Sequence, residues 1–189
     1  MRRRDLIAGV GSLGVIGTGA LVASGGMDGV LRGEAVPETT LETIDARGSD
    51  AGETVVPERG SVSFVDFFAT WCSDCLQYLG TLAEFHERTP DEVQFVSVTT
   101  EQVGTAITRE EIGRWFDGER TGSTGVLGSS PSHRGNWTVA IDPSMTLAEP
   151  LGATQVPYSF VIDESNRVAW SDPGIHEVGE LESALSEAY

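Results

Sequence analysis

The feature that most constrains this chain is the run WCSDC at Trp71–Cys75, which directly follows the apolar, strand-like run Ser61–Phe68. It contains both cysteines of the 189-residue sequence. Cys72 lies where a strand gives way to a helix, and the free N–H groups and macrodipole of a helix N-terminus favour a thiolate. Cys75 lies one helical turn further on and faces the apolar side. We therefore predict that Cys72 is a nucleophile and that Cys75 is a resolving thiol.

The spacing of the two cysteines favours redox exchange over a structural disulfide. A bond between them would close so short a loop that it constrains little of the unfolded chain and contributes little stability. Exchange needs one accessible thiolate and a second thiol close enough to expel the bound partner, which this spacing allows. The alternative is a non-catalytic binding module in which the pair stays oxidised.

A carboxylate, Asp66, interrupts the most apolar strand of the sequence, six residues before Cys72. Burial would raise the pKa of this carboxyl group toward the working range and suit it to accept the Cys75 proton, directly or through water. The alternative places Asp66 at a strand edge or facing solvent. The flanking residues Phe64, Val65, Phe67 and Phe68 favour burial, so we predict a proton acceptor.

Hydrophobic periodicity predicts a mixed sheet flanked by helices. The predicted strands are Leu41–Ile44, Glu53–Val56, Val62–Phe68, Val93–Val98, Trp137–Ile141, Tyr158–Ile162 and Arg167–Trp170. The predicted helices are Ser73–Arg88, Arg109–Phe116, Met145–Leu151 and Glu177–Ala188. Residues 117–136 are rich in Gly, Ser and Thr, which is typical of a loop.

Two segments carry a resemblance to a known family. The run Phe64–Cys75 (FVDFFATWCSDC) resembles the active-site strand and helix start of thioredoxins. Gly152–Asp163 (GATQVPYSFVID) resembles the segment that places a cis-proline beside the cysteine pair. With Trp137–Leu151 ahead of it, the match is closer to the exported TlpA/ResA-like thioredoxins than to the small cytosolic ones. It covers roughly residues 38–189.

The resemblance implies an α/β thioredoxin fold, with a central mixed β-sheet flanked by helices on both faces and an N-terminal β-hairpin extension. It also implies that the Val156–Pro157 bond is cis and that Pro157 packs against the cysteines. Val156 would then offer backbone groups to an extended substrate segment, and Trp71 would shield the pair. The alternative for Pro157 is a trans proline at the start of an edge strand.

The first 24 residues differ from the rest of the chain. Arg3-Arg4-Asp5-Leu6-Ile7 resembles a twin-arginine export signal, and the uncharged run Leu6–Ser24 would span about 28 Å as a helix. We predict an export signal or membrane anchor over residues 1–24 and a flexible acidic linker over 25–40. The thioredoxin-like domain is predicted over 41–189. The protein is thus expected to face the outside of the cell, with membrane contact only through residues 1–24.

The charge of the chain limits its partners. The formal net charge is −17, and the sequence contains arginine but no lysine. Such a carboxylate-rich surface is typical of halophilic proteins that stay soluble at very high salt, although ordinary surface acidity is the alternative. Electrostatic attraction to nucleic acid is disfavoured.

The resemblance implies an exported thiol–disulfide oxidoreductase that reduces protein disulfides, with a membrane dithiol as electron donor. No metal or organic cofactor is expected beyond the redox-active Cys72–Cys75 disulfide. Cytochrome c apoprotein is a client class of such relatives, which nothing in the sequence selects. The negative charge of the Asp74 carboxylate disfavours a neighbouring thiolate, which indicates a reducing pair.

Two competing functions use the same scaffold. Copper delivery would combine the cysteine pair with a distant histidine, His133 or His176, and the alternative is that all three histidines, including His86, are surface residues. The cysteine spacing is one residue short of that usual in the copper-delivering relatives. A thiol peroxidase is disfavoured because no Pro-x-x-x-Thr-x-x-Cys pattern precedes Cys72.

Overall fold

The computed structural model describes residue 33, residues 35–118 and residues 136–189. Their strands are β1 (Thr39–Thr43), β2 (Gly52–Val56), β3 (Ser63–Phe68), β4 (Gln94–Thr99), β5 (Thr138–Ile141), β6 (Tyr158–Ile162) and β7 (Val168–Pro173). The helices are α1 (Ser73–His86), α2 (Arg109–Phe116), α3 (Ala148–Leu151) and α4 (Val178–Ser186). Among the helices described, none is long and apolar enough to cross a membrane. The predicted export segment and most of the predicted 117–136 loop lie outside the described residues.

The strands form one mixed sheet in the order β2-β1-β5-β4-β3-β6-β7. Strands β3, β4 and β5 are parallel neighbours, and the remaining pairings are antiparallel. The β1–β2 hairpin extends the sheet beyond β5, which confirms the predicted N-terminal hairpin. Because β3 and β4 run in parallel, their carboxyl ends meet at one edge of the sheet, and the cysteine segment begins there.

Both faces of the sheet are covered, and the alternation of side chains along β3 shows why. All six residues of β3 are buried. Phe64 and Phe68 join a core cluster with residues of α1, α2 and α4, whereas Val65 and Phe67 join a second cluster with α3 and the hairpin. Helix α1 faces the first cluster with residues spaced three and four apart, namely Cys75, Tyr78, Leu79, Leu82 and Ala83. The predicted architecture, with helices on both faces, is confirmed.

The predicted flexible linker over 25–40 is wrong at its C-terminal end. Val36 is only 4% exposed and packs in the cluster on the α3 face of the sheet. Its N–H donates to the carbonyl of Asn166 at 2.7 Å, and Ala35 forms a bridge with Arg167. The apolar residues of 25–40 are scattered among Gly, Pro and acidic residues without a period, so the sequence pattern did not indicate this attachment.

The predicted helix Met145–Leu151 begins later, at Ala148. Asp142 is 2% exposed, and its carboxylate accepts from the N–H groups of Thr146, Leu147 and Ala148 at 2.7–2.9 Å. Met145 adopts a left-handed φ of 56°, which is outside the helical region. The Asp142 carboxylate thus organises a turn where the sequence predicted the first helical residues.

Candidate functional site

The two cysteines lie at the junction of β3 and α1. Cys72 is the N-cap residue of α1, with extended backbone angles of φ −89° and ψ 111°. The pair is disulfide-bonded, with a Cα–Cα distance of 5.3 Å, and the Cys75 N–H donates to Cys72 Sγ at 3.1 Å. A Cys72 thiolate would accept a hydrogen bond from the same Cys75 N–H and would be stabilised by the positive end of the helix dipole.

The two sulfurs differ in their surroundings. Cys72 keeps 7% of its surface exposed and Cys75 keeps 2%, so an attacking or attacked partner reaches Cys72 more readily. Trp71, immediately before Cys72, is 64% exposed and so stands beside the pair at the surface. This accessibility agrees with the predicted roles of Cys72 as nucleophile and Cys75 as resolving thiol.

Asp66 lies inside the protein, on the face of β3 that also carries Phe64 and Phe68. It is 1% exposed, and removal from water raises the pKa of its carboxyl group well above the usual range. The hydroxyl of Ser159 in β6 donates to Asp66 Oδ1 at 3.3 Å and opposes part of that rise. The alternative position at an edge or facing solvent is therefore excluded.

The Val156–Pro157 bond is cis, as the resemblance implied. Pro157 directly precedes β6, whose first residue, Tyr158, pairs with Phe67 in β3. This register carries the cis peptide to the edge of the sheet where β3 leads into the cysteine segment. Val156 packs against the core cluster that contains both cysteines. A second cis bond, Val56–Pro57, was not predicted.

A groove of about 170 Å³ is lined by two of the three predicted substrate-binding residues, and Pro157 is not among the residues that line it. Trp71 and Val156 both line it, together with Phe68, Met145 and Gln155. Met145 is 42% exposed and was not predicted to lie here. A larger groove of about 720 Å³ lies between the hairpin and α2, and neither cysteine lines it. Neither cysteine lines the smaller groove either, but Trp71, which does, directly precedes Cys72.

Glu101 is a site-supporting residue that sequence reasoning missed. Its two carboxylate oxygens accept from the N–H and the hydroxyl of Thr70, each at 2.8 Å, two residues before Cys72. Thr99 also donates to this carboxylate, at 3.1 Å. The one available signal was position, because Glu101 follows the parallel strand β4 and so lies at the same edge of the sheet as Thr70.

The two histidines within the described residues, His86 and His176, pack against aromatic rings. His86 packs against Phe95 and Trp137, with ring centroids 4.9 and 5.3 Å apart. His176 packs near Tyr78 and Trp170, at 6.1 and 5.2 Å. Within residues 35–118 and 136–189, no group of three or more His, Cys, Asp or Glu side chains is arranged to hold a metal ion. His133 lies outside the described residues.

The comparisons with known proteins agree with this geometry. A model of the family described as Redoxin matches residues 31–186, which is most of the chain. The chain belongs to the Redoxin family. With its cysteine pair at the start of α1, this redoxin has the close cysteine pair of the thioredoxin-fold thiol–disulfide oxidoreductases. No curated protein sequence matches it.

Solved structures share the fold of this redoxin. StoA from Bacillus subtilis is 18% identical, with a TM-score of 0.57, and the match covers 80% of this chain and 98% of StoA. The exposed lipoprotein thioredoxin Etrx1 from Streptococcus pneumoniae is 21% identical, with a TM-score of 0.61 and coverage of 80% and 99%. A thiol:disulfide interchange protein of the thioredoxin family from Chlorobium tepidum is 19% identical, with a TM-score of 0.58 and coverage of 83% and 97%. At these identities the likeness establishes the thioredoxin fold.

Proposed function

We propose that this redoxin is an exported, TlpA-like thiol–disulfide oxidoreductase that reduces disulfides in other proteins. The observation that carries the proposal is the position of Cys72, which caps α1 and is the more accessible sulfur of a closed pair. The cis peptide at Pro157 and the groove along Trp71 and Val156 support it, because they lie where an extended substrate segment must approach.

The proposed cycle transfers two electrons. The Cys72 thiolate attacks one sulfur of the substrate disulfide and forms a mixed disulfide, while the other substrate sulfur leaves as a thiolate. Cys75 then gives its proton to the Asp66 carboxylate and attacks Cys72 Sγ. The second substrate sulfur leaves, so the substrate is reduced and the Cys72–Cys75 disulfide is formed.

A dithiol donor must reduce Cys72–Cys75 again, and a membrane dithiol carrier is the donor that we propose. Residues 1–24 would direct the protein across the membrane or hold it there, so that the redox pair faces the outside. Etrx1 is one fold neighbour that is described as an exposed lipoprotein. Client proteins include any with an accessible disulfide, and cytochrome c apoprotein is one class to test.

Trapping with Cys75→Ser tests the proposal. This variant should accumulate covalent complexes through Cys72, because the resolving thiol is missing, and their identification would name the clients. The control is the double variant Cys72→Ser, Cys75→Ser, which should trap nothing. The wild type should also reduce insulin at high salt.

The opposite results would favour another function. If the single variant traps no partner and the wild type does not reduce insulin, the pair belongs to a binding module. Stoichiometric Cu(I) binding in equilibrium dialysis, lost in the double cysteine variant, would instead favour copper delivery.

A further inference from the structure

Three buried polar side chains, Asp66, Ser159 and Tyr78, form a hydrogen-bonded polar network within the apolar core. Asp66 in β3 is 1% exposed, and Ser159 in β6 and Tyr78 in α1 are both 0% exposed. The Ser159 hydroxyl lies 3.3 Å from Asp66 Oδ1 and 3.2 Å from the Tyr78 hydroxyl. This polar network therefore connects Asp66, the candidate proton acceptor, to α1, the helix at whose start both cysteines lie.

The chemistry of the three groups fixes the direction of the hydrogen bonds when Asp66 is ionised. A carboxylate only accepts, so Ser159 donates its single proton to Asp66. The Ser159 oxygen is then free to accept, so Tyr78 donates to Ser159. Each donation strengthens the next in a site that excludes water, and both favour the charged form of Asp66.

Without such donors, a carboxyl group in this position would ionise only at a higher pH. The described residues give the Asp66 side chain no cationic partner and one hydrogen bond, from Ser159. Burial of an unpaired carboxylate is strongly unfavourable, so the group would stay protonated to a higher pH. A protonated Asp66 has no site for the proton that Cys75 must lose.

Resting on the function proposed above, we propose that Ser159 and Tyr78 are positioning residues that keep the Asp66 carboxyl able to accept the Cys75 proton. Ser159 acts directly on Asp66, and Tyr78 acts through Ser159. The sequence gives no indication of either role, because Ser159 is 93 positions from Asp66 and Tyr78 is 81 positions from Ser159.

Other ionisable groups surround this polar network and can contribute to the pH dependence of Asp66. Cys72 and Cys75 are on α1 with Tyr78, and Asp172 in β7 pairs with Ser159. His176, whose Nε2 lies 3.3 Å from the Asp172 carbonyl, packs against the Tyr78 ring, and Glu180 in α4 lies 3.8 Å from His176 Nδ1. Burial and the nearby Asp66 charge raise the pKa of Tyr78, so its hydroxyl stays protonated and remains a donor.

The direct test is a pH titration of the Asp66 carboxyl carbon by NMR in the disulfide form, where the cysteines do not titrate. Ser159→Ala should raise the midpoint by about one pH unit, the size expected for loss of a hydrogen bond to a charged group. Tyr78→Phe should raise it by less. In the Ser159→Ala background, Tyr78→Phe should add nothing, because its effect passes through Ser159.

Ser97→Ala is the matched control. Ser97 is also fully buried and pairs with Asp66 across the β3–β4 ladder, but its hydroxyl accepts from Trp137 Nε1 at 2.9 Å. This variant should leave the Asp66 midpoint unchanged. If Ser159→Ala does not fold, the shift of the Asp66 midpoint in Tyr78→Phe still tests the polar network. Ser159→Thr should retain the wild-type midpoint, because threonine keeps the hydroxyl.

Unchanged midpoints in both Ser159→Ala and Tyr78→Phe would overturn the proposal. So would a wild-type Asp66 that stays protonated across the whole range in which the protein is folded. The release of substrate from the mixed disulfide supplies a second measurement, whose pH midpoint should move with the NMR midpoint. The titration needs no substrate, so its failure is distinguishable from failure of the trapping and insulin experiments.

Discussion

Replacement of Glu101 by alanine should destabilise the oxidised protein by about 1–3 kcal/mol. Thr70 is 0% exposed, and Glu101 accepts both its N–H and its hydroxyl at 2.8 Å. Alanine leaves these two donors without their acceptor in a site with little access to water. The cost of an unsatisfied buried donor is therefore the relevant magnitude, rather than the small net value of an exposed hydrogen bond. Glu101 itself is only half-buried, so partial entry of water sets the lower end of the range.

Denaturant unfolding of wild type, Glu101→Ala and Glu101→Gln measures this effect. The glutamine side chain keeps an oxygen for the Thr70 N–H and offers its amide to the hydroxyl oxygen, so Glu101→Gln should lose less than about 1 kcal/mol. The slope of free energy against denaturant should be equal in all three proteins. An unfolding midpoint for Glu101→Ala equal to that of wild type would refute the argument that this carboxylate holds the segment before Cys72.

Three further predictions concern stability and the thiolate. Because burial raises the pKa of Asp66 in the folded state, the folded protein retains its proton after the unfolded chain has lost it, and stability falls as the pH rises above about 4. Unfolding free energies measured from pH 4 upward should fall more steeply in wild type than in Asp66→Asn, and parallel curves would contradict this. Leu82→Ala in α1, at 0% exposure, should cost about 2–5 kcal/mol in denaturant unfolding, whereas Gln77→Ala on the exposed face of the same helix should change stability by less than about 0.5 kcal/mol. Asp74→Asn should lower the pKa of the Cys72 thiol, measured by thiolate absorbance, with a larger effect at low salt than at 1 M salt; equal effects at both salt concentrations would contradict the electrostatic reason.

The parts of the fold that the sequence predicts well are those with strong local patterns. Helix α2 has its predicted bounds, Arg109–Phe116, and Thr108 and Glu111 form a reciprocal capping box at its start. Strand β6 also has its predicted bounds, because apolar residues occupy all of its positions except Ser159 and the polar Asp163 follows directly. Burial of Asp66 was predictable for the same reason, since its neighbours in β3 are apolar on both faces of the sheet.

The parts that the sequence does not predict depend on contacts between distant segments. Glu101 reaches Thr70 across 31 residues, and Ser159 reaches Asp66 across 93. Asp142 shows the same limit over a shorter distance, because its side chain replaces backbone interactions and delays the start of α3. A one-dimensional pattern indicates which side chains are buried, but it does not indicate which buried polar groups meet.

The charge around Cys72 has contributions that act over different distances, and salt separates them. The Cys75 N–H lies 3.1 Å from Cys72 Sγ and favours the thiolate through a direct contact that dissolved ions do not enter. Asp74 is exposed in the first turn of α1, and the net charge of −17 is a property of the whole chain. Both oppose the thiolate through solvent, where the screening length falls to about 3 Å at 1 M salt. Since a stabilised thiolate makes a cysteine pair more oxidising, the reduction potential of Cys72–Cys75 should rise with salt. The acidic composition therefore favours a reducing pair most strongly in dilute solution, and at high salt the local geometry of the helix N-terminus decides the potential.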